Sequence, residues 1–172
     1  MRHIITSNNS ALKKQNNIIT DGILSIISTV LTFFAPLAKE TTEGLFNTYS
    51  DTVSLFSGVD SGLCVALTVI SGICFVLLPC ISLFSAAKKN VSVGSGISGI
   101  ALLVMQIICT VQSQNYYDDS SLLGALRSEV SVMSVHPLAI VTMIVTLITV
   151  IMCFMTQAAE TGLKNNGNID EQ

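Results

Sequence analysis

The hexapeptide GSGISG at residues 94–99 has the G-x-G-x-x-G spacing that lets a backbone approach a pyrophosphate. That chemistry requires a preceding strand and a soluble helix opening behind the glycines. Here two lysines and a polar turn precede the motif and a long apolar run follows it, so the glycines read as helix packing, with Ser95 and Gly99 as a small-xxx-small pair. The pentapeptide MCFMT groups Met152, Cys153 and Met155, soft donors of the kind copper(I) takes. With no further soft donor nearby in the chain, they read as gap-filling side chains of an apolar helix. His3 and His136 pair with no serine or cysteine nucleophile, because every cysteine falls in an apolar stretch. Asp118 and Asp119 read as a helix cap rather than a cation site. No catalytic, cofactor or metal site is assigned, and the expectation is a protein that is not an enzyme.

The remaining polar side chains of interest lie inside apolar segments. Ser25, Ser28 and Thr32 share one helical face, and Thr142, Thr146, Thr149 and Cys153 share another. Thr68 and Gly72 lie on one face of a third segment, and Gln106 is the most polar group within any of them. In hydrocarbon such faces turn toward one another and hydrogen-bond across helices. The alternative is a polar path through the bundle. It is disfavoured because no Asp, Glu, Lys, Arg or His is expected at membrane depth, where pumps and coupled transporters keep one.

The elements that must carry these residues follow from composition. The 172-residue chain is 50% hydrophobic and only 11% charged, with a mean hydropathy of +0.67. Soluble domains carry roughly 25% charged residues. A net charge of −3 with few basic residues leaves no footprint for nucleic acid. The five cysteines, at positions 64, 74, 80, 109 and 153, form no CxxC pair and no loop framework, and read as small buried apolar groups.

Four stretches reach the ~20 apolar residues that a spanning helix needs: about 18–38, 63–87, 91–111 and 137–156. Pro79 predicts a bend near Phe75 in the second, and Pro137 suits the first turn of the fourth. The first span is expected to remain as an anchor, since Pro36 spoils a signal-peptidase site ending at Ala38. The expected fold is all-α: an integral membrane four-helix bundle of two hairpins, residues 18–158, with tails 1–17 and 159–172.

Charge sets the expected orientation. Arg2, Lys13, Lys14, Lys88, Lys89 and Lys164 fall in the tails and the central turn, whereas Lys39 and Arg127 are the basic residues of the other two loops. The positive-inside rule then makes both termini and the Lys88 and Lys89 turn cytoplasmic. The outer loops carry Glu40, Glu43, Asp51, Asp60, Asp118, Asp119 and Glu129, with Tyr116 and Tyr117 as interfacial anchors after the third span. Leu45, Tyr49, Val53 and Phe56 in the first outer loop, and Leu122, Leu126, Val130 and Met133 in the second, recur at helical spacing and predict short amphipathic helices.

The sequence EGLF at residues 43–46 is similar to the Gly-Leu-Trp element of claudin-like four-span proteins, but those keep a loop cysteine pair that this chain lacks, and it has no tryptophan. Over residues 18–158 the layout more closely resembles small uncharacterised bacterial four-span membrane proteins with cytoplasmic termini and a short basic central turn. That resemblance implies no activity. The expected function is that of a non-enzymatic accessory, scaffold or interaction subunit in the cell membrane, with the lipid bilayer, a membrane protein or a second copy of the chain as partner. The alternative is a small oligomeric transporter or channel using Gln106 and the hydroxyl faces.

Overall fold

A computed structural model describes residues 2–43, 48–59, 61–84, 88–115 and 130–167. Helix α1 (Arg2–Phe34) leads into strands β1 (Ala38–Glu43) and β2 (Thr48–Val53). Helices α2 (Gly62–Phe84) and α3 (Lys88–Asn115) follow, then strand β3 (Val130–Val135) and helix α4 (Pro137–Gly167). Each helix contains a stretch long and apolar enough to cross a membrane: Asn16–Phe34, Gly62–Ile81, Val93–Gln114 and Pro137–Thr156. This is the architecture of a multi-pass membrane protein.

Local sequence sets the helix ends. Pro36 biases the residue before it away from helical geometry, so α1 stops at Phe34, and Ala38 opens a strand instead of closing a span. Ser61 caps α2, its Oγ accepting the Cys64 amide at 3.4 Å. His136 caps α4 in the same way, Nδ1 accepting the Leu138 amide at 3.1 Å, and Pro137 occupies the first helical position. Pro79 lies inside α2, which continues through it. Lys88 and Lys89, expected in a turn, are the first two residues of α3. The tails expected at 1–17 and 159–172 are helical where described, as extensions of α1 and α4.

The all-α expectation is corrected at one end of the bundle, where a three-stranded antiparallel sheet in the order β2-β1-β3 takes up the described residues of the two segments expected as amphipathic helices. Ala38 stands opposite both Val53 and Val135, and Glu43 opposite Thr48 and Val130. The misreading has a physical origin. Residues four apart share a helix face, but four is also an even number, so Tyr49 and Val53 equally share a strand face. The β-branched Thr41, Thr42, Thr48, Thr52 and Val53 then favour the pleated alternative. In the second outer loop Val130 and Met133 belong to β3. Leu122 and Leu126 lie outside the described residues, as do Tyr116, Tyr117, Asp118, Asp119 and residues 44–46 of the EGLF element.

The sheet is fastened to the helices. The Leu37 amide donates to the Val53 carbonyl at 2.7 Å, and the His136 amide to the Leu37 carbonyl at 3.0 Å, so one residue bridges both edge strands. Leu37 and Leu55 pack with Cys64, Met105 and Cys109 beneath the strands, while Phe33 meets Phe56 edge to face at 6.3 Å. Below this plug the helices form a ring in which α1 neighbours α2 and α4, and α3 neighbours the same two.

Candidate functional site: a polar seam inside the bundle

The interior inverts the pattern of a soluble bundle. Among the described residues, hydroxyl, amide and carboxyl side chains are buried as often as apolar ones, while isoleucines, leucines and valines such as Ile23, Ile70, Ile107 and Ile148 are half exposed on the outer faces. Lipid gives no hydrophobic reason to bring helices together, so small side chains that permit close approach and hydroxyls that bond across the gap occupy the contacts.

The α1–α4 contact repeats with the helical turn. Among the buried positions on α1 are Asp21, Ser25, Ser28 and Thr32, and on α4 Thr142, Thr146, Thr149, Cys153 and Thr156. The helices run antiparallel, and Ser28 Oγ lies 2.6 Å from Thr146 Oγ1. Stepping one turn at a time from that pair brings Thr32 level with Thr142, Ser25 with Thr149, and Asp21 with Cys153. The α4 threonines also donate back to carbonyls one turn earlier: Thr142 to Leu138 at 2.7 Å, Thr146 to Thr142 at 2.8 Å and Thr149 to Val145 at 2.8 Å. Such back-bonding leaves no hydroxyl proton stranded in hydrocarbon.

Gln106 crosses the ring. From α3 its Nε2 donates to Thr32 Oγ1 on α1 and, at 3.0 Å, to Thr146 Oγ1 on α4. Its Oε1 is buried with no hydrogen-bond partner. Thr32, Ala35, Gln106, Thr110, Ala139 and Thr142 border a cavity of about 10 Å³ between Gln106 and the sheet. That is close to the space one water molecule needs.

The other residues singled out in the sequence occupy contacts around this centre. Thr68 is fully buried on α2, donating to the Cys64 carbonyl at 2.7 Å and lying 3.5 Å from Cys109 Sγ on α3. Gly72 accepts Thr29 of α1 at its carbonyl, and a Cβ there would come within 2.9 Å of Phe33 Cζ. Ser95 Oγ lies 3.8 Å from Cys153 Sγ, and Gly99 admits Phe75 and Val150. The nucleotide-like glycines therefore lie within α3, where Gly96 and Gly99 face aromatic rings of α4 and α2. Met152 and Met155 point outward while Cys153 points inward, so the soft donors do not converge. Among the described residues no group of three or more His, Cys, Asp or Glu side chains could hold a metal. Lys13 and Lys14 lie in the N-terminal half of α1 and Lys88 and Lys89 open α3, and their side chains lie outside the described set.

Sequence reasoning missed Asp21. The apolar window of α1 begins at Asn16, which puts Asp21 more than one turn inside it, only 5% exposed and with Oδ1 unpartnered. The signal was present in the spacing, since Asp21 continues the Ser25, Ser28 and Thr32 face by one turn. No protein-family model, curated protein or solved structure matches the chain.

The seam makes a stability prediction. Thr146→Val keeps the shape of the side chain but leaves Ser28 and Gln106 short of a partner. A loss of about 1–2 kcal/mol is expected, the range of a buried interhelical hydrogen bond and its unsatisfied remnant. Thr149→Val removes only a back-bond to Val145 and is expected to cost less. Thermal melts of both variants in detergent, followed by circular dichroism, check the order.

Proposed function

We propose that the chain is a non-enzymatic cell-membrane protein acting as an accessory or scaffold subunit, with both termini cytoplasmic and the β2-β1-β3 sheet presented outside to a partner. The observation that carries this reading is the contrast between the two regions of the molecule. The interior polar groups are largely spent on one another, and the cavity beside Gln106 has room for about one water. The outer end is an ordered sheet whose edge strand β2 has Thr48, Ser50, Asp51 and Thr52 exposed. An edge strand offers unpaired backbone groups to a second chain.

Crosslinking in the native membrane from Ser50→Cys and Thr52→Cys, followed by purification in mild detergent, is expected to trap either a stoichiometric partner or a homodimer through β2. A chain that stays monomeric from both positions counts against the reading.

A second reading, a small oligomeric transporter or channel along the Ser and Thr faces, is favoured by one specific pair of observations: Gln106 Oε1 and Asp21 Oδ1 are buried without hydrogen-bond partners. Unsatisfied polar atoms at depth are expensive and often functional. Proteoliposomes separate the two readings, since a path through the seam gives solute or ion flux that Gln106→Leu abolishes, and a scaffold gives none with either protein.

A further inference from the structure

The packing of the seam accounts for every buried hydroxyl on the α1–α4 contact but not for the carboxyl that ends it. We propose that Asp21 is a proton-binding site within the membrane-spanning bundle, with Thr156 as the hydroxyl that changes partner when the proton arrives or leaves.

The geometry supports a proton over any other ligand. Asp21 lies on a stretch of α1 that is itself apolar enough to span, and is buried on the face of α1 that meets α4. Thr156 of α4 faces its carboxyl, and Cys153 of α4 is the titratable group beside it. From α2, Pro79 lies beside the neighbouring Gly22, its Cβ 3.9 Å from where a side chain at that position would begin. A hard metal ion wants about six oxygen ligands, and one carboxylate with one hydroxyl does not supply them. A proton needs one oxygen, and Oδ1 has no competing hydrogen bond. A carboxylate held away from water is costly, and binding a proton removes that charge.

The step balances simply. One proton from hydronium at the aqueous Lys88 end joins a carboxylate oxygen, one O–H bond forms as one of hydronium's breaks to leave water, and no electrons transfer. As a carboxylate, Asp21 accepts from Thr156. As a neutral acid it becomes a donor. Thr156 Oγ1 then accepts, and its own proton turns to the Met152 carbonyl one turn back, the bond that Thr142, Thr146 and Thr149 already make. The exchange needs only a hydroxyl rotation. The site stands whether or not the outer sheet binds a partner, because it uses none of the same residues.

The test uses the full chain in phosphatidylcholine vesicles and dicyclohexylcarbodiimide, an apolar reagent that modifies protonated carboxyls buried in membranes. Peptide mass mapping across a pH series is expected to find Asp21 modified, with the yield falling along a single titration curve as pH rises. Asp21→Glu is expected to retain labelling and Asp21→Asn to lose it, with helical circular dichroism checking that each variant is folded. Thr156→Val is expected to move the midpoint without removing the label. Wild-type protein left unmodified at every pH, or modified equally at every pH, overturns the proposal. An unmoved midpoint in folded Thr156→Val removes Thr156 from the site.

Discussion

Gly99→Leu is expected to melt well below the parent protein and to lose the contact among α2, α3 and α4. A Cβ at position 99 would lie 2.6 Å from both Phe75 Cε2 and Val150 Cγ2, nearer than side-chain carbons approach. Neither neighbour has room to withdraw, because Phe75 is fully buried and Val150 nearly so, locked in one cluster with Leu102 and Cys153. Overpacking a filled core costs about 1–3 kcal/mol for small additions and more when the backbone must move. Gly99→Ala should therefore lower the melting temperature by roughly 2–12 °C, taking about 2–4 °C per kcal/mol for a chain of this size. Leucine should exceed alanine. Gly62→Ala supplies the control, since nothing lies within 4 Å of a Cβ at that position. Equal melts for Gly99→Leu and Gly62→Ala would mean that α3 does not pack against Phe75 and Val150.

The same contact shows which parts of the molecule were legible in the sequence. Long apolar helices announce themselves by length, and the α1 and α4 hydroxyl faces by their turn-by-turn spacing, because each is a local property of one segment. The pairing of those faces also follows from chain order, as an odd number of turns between α1 and α4 makes them antiparallel. The diagonal bridge from Gln106 to Thr32 and Thr146 is different in kind. It depends on how far α3 leans into the ring, which the bulk of side chains around Gly96 and Gly99 decides. The sheet was illegible for another reason: β1 pairs with β3 across more than eighty residues of intervening chain, and no local period records a partner that distant.

Asp21 illustrates how a boundary decides a reading. Placed at the edge of an apolar run, an acid is a solvated cap. One turn further inside, on the face that meets α4, it is an ionisable group in a seam of hydroxyls. The difference is whether Asn16, Asn17 and Thr20 count as span, and helix α1 carries them within its apolar window. A run read residue by residue starts where the isoleucines cluster, whereas the helix continues through polar side chains whose backbone bonds are already satisfied.

Cysteine labelling is expected to divide the two ends of the bundle without intermediate cases. All three strands lie at one end, tied together through Leu37, and α3 begins at Lys88 and reaches the sheet's apolar plug with Met105 and Cys109. The sheet and the lysine pair are therefore at opposite ends of the helices, and whichever compartment holds one excludes the other. The basic residues at the lysine end outnumber those near the strands, so under the proposed orientation the positive-inside rule predicts the lysine end in the cytoplasm. In a background with Cys64, Cys74, Cys80, Cys109 and Cys153 replaced, Ser50→Cys on the exposed β2 edge should react with a membrane-impermeant maleimide on intact cells. Asn90→Cys should react only after permeabilisation. Reaction at position 90 in intact cells would invert the orientation while leaving the fold untouched. Lys88→Gln with Lys89→Gln should produce a mixed population rather than full inversion, because Lys13 and Lys14 still bias the first crossing.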